Sequence, residues 1–358
     1  MDYTTAKAVF DKMTFNYDDG STILDGLVFK KVALALVFYF YEDEALRSRT
    51  AIVKIVKEYM DILGPKLRWA INQNSGEWKA FENGYPTDSA LDEWLMKAGH
   101  GAWQFTCHGG QDYREASDIE IGGMGNGSGR LKKRLSWLYC YFPFKGYFDQ
   151  EQEMADLAHK WAEMLKPFHG YGGVTLVDSH DKGAANQVPS VMLDSYYTCA
   201  YPGVNINRVS IDADVLTEEI KSADWLTFLS DHFLEKLGGS DEMQLQLIAN
   251  SDGERLIGQF YPGGIMIMAG PKPSVGAGTG WDDRGVKHVR HVARILEPIR
   301  KKDHPGYFPH RDDIILEDGC KYLNPDQFRA WLARFSPEYM TIKPVPEVLP
   351  GKRPRIKR

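Results

Sequence analysis

The ten residues from Val32 to Tyr41, "VALALVFYFY", form the longest apolar run in the chain. A membrane-spanning helix needs roughly 20 such residues, so this run is about half the required length. The surrounding segment "LVFKKVALALVFYFYED" therefore reads as a buried strand, and the rest of the fold has to be arranged around it. Next, "EALRSRTAIVKIVKEYMDILG" places Ala51, Ile52, Ile55, Val56, Tyr59, Ile62 and Leu63 at helical spacing, with Gly64 as C-cap and Pro65 beyond. "KLRWAINQ" and "AWQFTCHGG" alternate as strands, and "TDSALDEWLMKAG" between them reads as a helix opened by a Thr or Asp cap.

"SDIEIGG" and "RLSWLYCYFPF" are strand-like and flank a glycine-rich stretch. "DQEQEMADLAHKWAEMLKPFHGYGG" is an amphipathic helix with Met154, Leu157, Ala158, Trp161 and Leu165 on one face, followed by strand "GGVTLVDS". Residues 181–222 carry no clean period, although "VPSVMLDSYYTCAY" allows a helix. Beyond them come strand "DWLTFLS", helix "DHFLEKLGG" capped by Ser230 or Asp231 and closed by Gly238, and a polar stretch. Strands "RLIGQFYPGG" and "IMIMAG" then form a hairpin turning at Gly263 and Gly264. A loop, a helix from Arg284 to Arg300, and a short helix with Phe328, Trp331, Leu332 and Phe335 on one face complete the folded part. Strands outnumber a strict βαβ alternation, so the expected class is α+β, with mostly antiparallel sheets and packed helices in two α/β halves. The expected organisation is a lead-in at 1–26, an N-terminal half at 27–180, a connecting segment at 181–222, a C-terminal half at 223–336 and a Pro-rich basic tail at 337–358.

Charge narrows the choice of partners. The net charge is −6, yet five of the last seven residues are basic (Lys352, Arg353, Arg355, Lys357, Arg358), so the body without them stands at −11. Phosphate neutralisation dominates nucleic-acid affinity, which excludes nucleic acid as a direct ligand of an acidic body; the charge suits a basic protein partner, or simply solubility. The start lacks the basic and apolar regions of an export signal, and no membrane span is present, so a cytoplasmic protein is expected. Cys107, Cys140, Cys199 and Cys320 stand singly, as free thiols would in a reducing compartment.

Several motifs invite a chemical reading. In "GGMGNGSGRLKKR" the glycines suggest a phosphate loop, but Leu135, Trp137, Tyr139 and Tyr141 alternate afterwards as a strand. No helix dipole stands behind the glycines, so they read as a mobile hairpin connection with Lys132, Lys133 and Arg134 in solvent. "PSVGAGTGWDD" does lie between a strand and a helix, yet it has no Walker lysine, and Asp282 and Asp283 would repel phosphate. His288 with His291, and His304 with His310, Asp312 and Asp313, lack a converging metal frame; the first pair, among Lys287, Arg290, Arg294, Arg300, Lys301 and Lys302, reads as a basic solvated helix face. Cys107 and His108 are neighbours on a strand and point to opposite faces, so they cannot act as a nucleophile pair. No cofactor motif occurs, and none is expected.

"DILGPKLRWAI", "FPFKGYF", "LAHKWAEMLKPFHGYGGV", "ADWLTFLSDHFLEKLGG", "YPGGIMIMAGPKPSVG", "ARILEPIRKKDHP" and "FRAWLARF" occur in this order. On these stretches, from about residue 30 to 335, the chain resembles the bacterial type VI secretion immunity protein family. They are strand and helix junctions, with no catalytic motif among them. The resemblance implies a protein that binds a cognate antibacterial effector and blocks it, and the acidic body would suit a basic, cytoplasm-acting nuclease. The competing readings are a hydrolase or transferase with a dispersed site, and an adaptor of the secretion apparatus. For the effector contact the candidates are Asp112, Tyr113, Glu115, Asp118 and Glu120 in "GGQDYREASDIE", with Trp281, Asp282 and Asp283 in "TGWDD", because aromatic residues beside acids suit an interface hot spot.

Overall fold

The computed structural model describes residues 14–16, 21–43, 45–72, 76–81, 88–97, 99–127, 134–144, 151–181, 194, 198, 201–249, 256–276, 286–302, 304, 329 and 331–335. Among them the strands are β1 (Thr14–Asn16), β2 (Ser21–Leu24), β3 (Leu27–Phe40), β4 (Trp69–Asn72), β5 (Lys79–Ala80), β6 (Trp103–His108), β7 (Glu120–Gly125), β8 (Ser136–Pro143), β9 (His169–Asp178), β10 (Asn205–Ile206), β11 (Leu226–Ser230), β12 (Leu256–Tyr261) and β13 (Gly264–Ala269). The helices are α1 (Arg47–Leu63), α2 (Asp88–Leu95), α3 (Glu151–Leu165), α4 (Val209–Val215), α5 (Asp231–Lys236), α6 (Ser240–Ala249) and α7 (Lys287–Leu296).

The strands join one sheet in the order β12-β13-β11-β9-β3-β8-β7-β6-β4-β5, with β2 and β1 attached to β3 and β10 to β9. Only β10 with β9 is a parallel pair between these strands, so the sheet is mostly antiparallel and the fold is α+β. The apolar run organises it. β3 pairs with β8 from Ala33 to Phe40 and with β9 from Lys30 to Tyr39, and Ala33 to Phe40 are all essentially inaccessible to solvent.

Alternation splits β3 between two layers. Leu34, Leu36, Phe38 and Phe40 join Ile52, Ile55, Val56 and Tyr59 of α1 and Ala158, Trp161 and Ala162 of α3 in the largest core. Ala33, Ala35, Val37 and Tyr39 face the other way, with Tyr141, Tyr171 and Val177. A third cluster sits where Leu229, Ile265 and Ile267 meet Phe233, Leu234, Val289 and Val292 of α5 and α7.

Buried charges also pin the part of the chain before β11. Asp178 and Asp194 each bond both Lys30 and Arg208, at 2.5 Å for Lys30 to Asp178 and 2.8 Å for Arg208 to Asp194. Asp212 accepts from Lys221 at 2.8 Å and from the Tyr39 hydroxyl at 3.1 Å, with His304 at 3.4 Å. Such groups specify where this polar segment lies, because a displaced member would leave a charge buried without its partner.

Five local expectations change. Ile62 of the helical stripe is 40% exposed, while Gly64 is the C-cap of α1 as expected, in a right-handed conformation (φ −50°) that opens a 3-10 turn with Pro65. The polar stretch after Gly239 is helix α6, which buries only Met243 and Leu247. The helix assigned to a solvated basic face exposes Arg294 but buries Arg290 and His291, with Arg300 beyond its end also buried; it packs on β13 and α6. In the β12–β13 hairpin only Gly263 has positive φ (+104°), while Gly264 is a strand residue.

The glycine stretch is the fifth. Gly122, Gly123 and Gly125 belong to β7, where a Cβ on Gly122 would lie 2.5 Å from the Tyr139 hydroxyl and one on Gly125 would lie 2.0 Å from Trp103 Nε1. Large cross-strand side chains occupy those positions, so these glycines serve packing, and residues 128–133 lie outside the described part. Of its basic cluster, Arg134 pairs with Asp214. "VPSVMLDSYYTCAY" falls outside the described residues except at Asp194 and Thr198, both helical, and Tyr201, which is not.

Candidate functional site

Strand β6 ends at His108 and β7 starts at Glu120; the loop between them carries four of the sequence-predicted contact residues, Asp112, Tyr113, Glu115 and Asp118, and Glu120 opens β7. Glu115 builds the loop from inside. Its carboxylate accepts the Gln111 N–H at 2.7 Å, the Asp112 N–H at 3.2 Å and the Val28 N–H at 3.3 Å, and it is only 7% exposed. The neighbouring Ala116 N–H donates to the Val28 carbonyl at 2.9 Å. On the far side the Arg114 carbonyl accepts the Ser179 hydroxyl at 2.6 Å and the His180 N–H at 2.8 Å. The loop is thus sewn to the start of β3 and the end of β9.

Asp112 and Tyr113 are displayed on this base. Asp112 Oδ1 accepts from Arg114 Nε and Oδ2 from Arg114 Nη2, both at 2.9 Å. That fork, with smaller help from the Arg114 N–H and charge, lowers the Asp112 carboxyl to a pKa of about 2. Tyr113 is 41% exposed, and its ring meets Trp69 edge-on at 5.8 Å and lies 6.5 Å from Trp78. Asp118 pairs with Lys31 at 3.1 Å.

Glu120 points inward, at 2% exposure, to a cluster under the loop. It accepts from the Tyr139 hydroxyl at 2.6 Å and from His180 Nε2 at 2.9 Å. Burial opposes ionisation of both partners, yet mutual attraction wins: Glu120 is lowered and His180 raised. His108 stacks 4.6 Å from His180, with Trp78 at 4.7 Å from His108 and 4.9 Å from His180. Desolvation first, and the charge of His180 second, bring His108 down to about 4, so it is neutral at physiological pH. Its Nδ1 accepts the Gly110 N–H at 3.1 Å, which places the ring proton on Nε2.

The buried carboxylate–imidazole pair is surrounded by groups that burial holds in their neutral forms. Burial drives the Tyr139 phenol well above its usual range, and Cys107, on the opposite face of β6, is pushed up in the same way within the main core. The pair instead forms the floor of a displayed surface.

Of the eight predicted contact residues, Asp112 and Tyr113 are thus presented outward, Asp118 is partly covered by its partner Lys31, and Glu115 and Glu120 are internal supports. Trp281, Asp282 and Asp283 lie outside the described residues, as do His310, Asp312 and Asp313. Sequence reading missed Trp69, Trp78 and His180. Trp69 has a local signal, since it alternates in "KLRWAINQ", but its proximity to residue 113 arises only from the β4–β6 pairing.

Comparison with known proteins gives a family for the chain. A family described as "TsiV: Type VI immunity for VRR-NUC" matches residues 51–335. The chain is also similar in fold to the Pseudomonas aeruginosa T6SS protein PA0821, at a TM-score of 0.75 and 20% identity, covering 89% of this chain and 86% of that one. No curated protein matches. With most of its length matched, from α1 to the last described residue, the chain belongs to the TsiV family, type VI immunity for VRR-NUC.

Proposed function

We propose that the protein protects a bacterium by binding a VRR-NUC effector of the type VI system stoichiometrically and covering its active or DNA-binding surface, with no chemistry of its own. The carrying observation is the 109–118 loop, where an exposed tyrosine and an aspartate held ionised by Arg114 sit on a base hydrogen-bonded from within. A braced loop loses little conformational freedom on binding, so more of its contact energy is kept as affinity. Aromatic anchors beside charge are typical hot-spot chemistry.

The charge supports the same reading. A nuclease must attract phosphate, so its working surface is cationic. A body at −11 without its last seven residues is drawn to such a surface and competes with DNA for it. The site of action would be the cytoplasm, where the DNA substrate lies; among the described residues no helix is long and apolar enough to cross a membrane.

The test is titration of a purified VRR-NUC nuclease with this protein while DNA cleavage is followed. Cleavage should stop near one equivalent, and association should slow as salt is raised. A nuclease that cuts at an unaltered rate under excess protein would sink the proposal.

A further inference from the structure

At the opposite end of the sheet, α6 lies on the edge hairpin β12–β13. Its buried residues Met243 and Leu247 face inward, and Leu247 fills the space left by Gly258, where a Cβ would come within 2.7 Å of its side chain. Leu245 and Ile248, three residues apart on the outer side, are 62% and 67% exposed. Phe260 shares the Gly258 face of β12 by alternation and is 41% exposed. Three of the six large apolar side chains found exposed among the described residues therefore lie at one end of the fold, two on the outer side of α6 and one on the edge strand beneath it.

The charge around them decides the occupant. Asp231, Glu235, Asp241 and Glu242 are exposed along α5 and α6. The Lys236 ammonium is taken up by Glu218, at 3.0 Å to both its carboxylate and its carbonyl. A second copy docked here would set these acids against their own counterparts, and an anionic lipid surface or a nucleic acid would be repelled outright. An apolar strip rimmed by negative charge fits a cationic amphipathic segment of another protein.

We propose that the outer face of α5–α6, anchored by Leu245, Ile248 and Phe260, is a second contact surface for the effector and receives a basic, partly apolar segment of it. This rests on the immunity reading, which supplies a partner that must be cationic to bind DNA.

The experiment measures affinity and association rate for a catalytically disabled VRR-NUC effector that the wild-type protein binds. Leu245→Glu with Ile248→Glu should weaken binding roughly tenfold or more without moving the urea midpoint, since both side chains already face water. Asp241→Lys with Glu242→Lys should slow association and flatten its salt dependence. Unchanged affinity and rate in both variants would overturn the second surface while leaving the immunity role standing. A wild-type dimer that the Leu245/Ile248 variant splits, with effector affinity unaltered, would assign the face to a second copy and also overturn it. Failure of the wild-type protein to bind any VRR-NUC effector would remove both proposals together.

Discussion

At the β4–β6 end of the sheet, the displayed residues hang from buried polar groups; at the β12 end, they stand on the outside of a helix that is apolar on both sides. Tyr113 and Asp112 are oriented by Glu115, Arg114 and the Glu120–His180 floor, whereas Leu245 and Ile248 are oriented by helix geometry alone. The first arrangement fixes direction at the expense of burying charge, and the second offers contact area at almost no structural cost. The strands that carry the Tyr113 loop, β7 and β6, lie six and seven spacings from β12 along the sheet, roughly 30 Å at about 4.8 Å each. A partner using both must span the sheet, and the two ends can be tested separately.

The largest contrast should come from removing the floor. Glu120→Ala leaves the His180 charge and the Tyr139 hydroxyl without their acceptor and should cost about 3–5 kcal/mol in urea unfolding, while Asp241→Lys with Glu242→Lys, in the first turn of α6, should cost only about 1–2 kcal/mol. Equal losses at the two ends would erase the distinction drawn between them.

Acid should separate them next. Burial brings His108 from 6.5 to about 4, so between these pH values the unfolded chain holds a proton there that the folded chain refuses. Stability therefore falls as pH falls through this window, by up to about 1.4 kcal/mol per pH unit from His108. His169, also lowered to about 4, adds in the same sense, and Asp224, raised to about 6 by burial, opposes it. Below pH 6.5 His180 is protonated in both states and adds no slope. His108→Gln should flatten the pH dependence of the urea midpoint by one histidine's share, and a slope identical to wild type would remove His108 from the account.

Smaller effects concern binding. Tyr113→Ala should weaken effector affinity by about 2 kcal/mol, near thirtyfold, with little change in stability because the ring is already 41% exposed. Smallest is the stability change expected from Leu245→Glu with Ile248→Glu, within about 0.5 kcal/mol. A large destabilisation there would mean that these side chains hold the fold together.

The loop shows how far residue patterns reach. Alternation and helical period located β3, β6, β8, α1 and α3, because the core selects residues at fixed spacing. The same rule failed for α6, whose apolar residues lie on both sides, and for the glycines of β7, which look like a loop until Tyr139 and Trp103 are seen filling their places. It located α7 but not its surroundings, since Arg290 and His291, which look solvated in one dimension, are buried.

By itself the sequence determined the strand at the centre, the helices that cover it, the α+β class and the negative body, since each follows from local composition and period. Only the tertiary structure decided which acids face outward. Asp112 and Glu115 are three residues apart and chemically alike, yet one lies beside Arg114 at the surface and the other turns its carboxylate onto backbone N–H groups, including that of Val28 far upstream. A carboxylate goes where its hydrogen-bond donors are: Arg114 for Asp112 and the Gln111 and Asp112 N–H groups for Glu115 are local, but the Val28 N–H is brought to Glu115 only when the sheet forms.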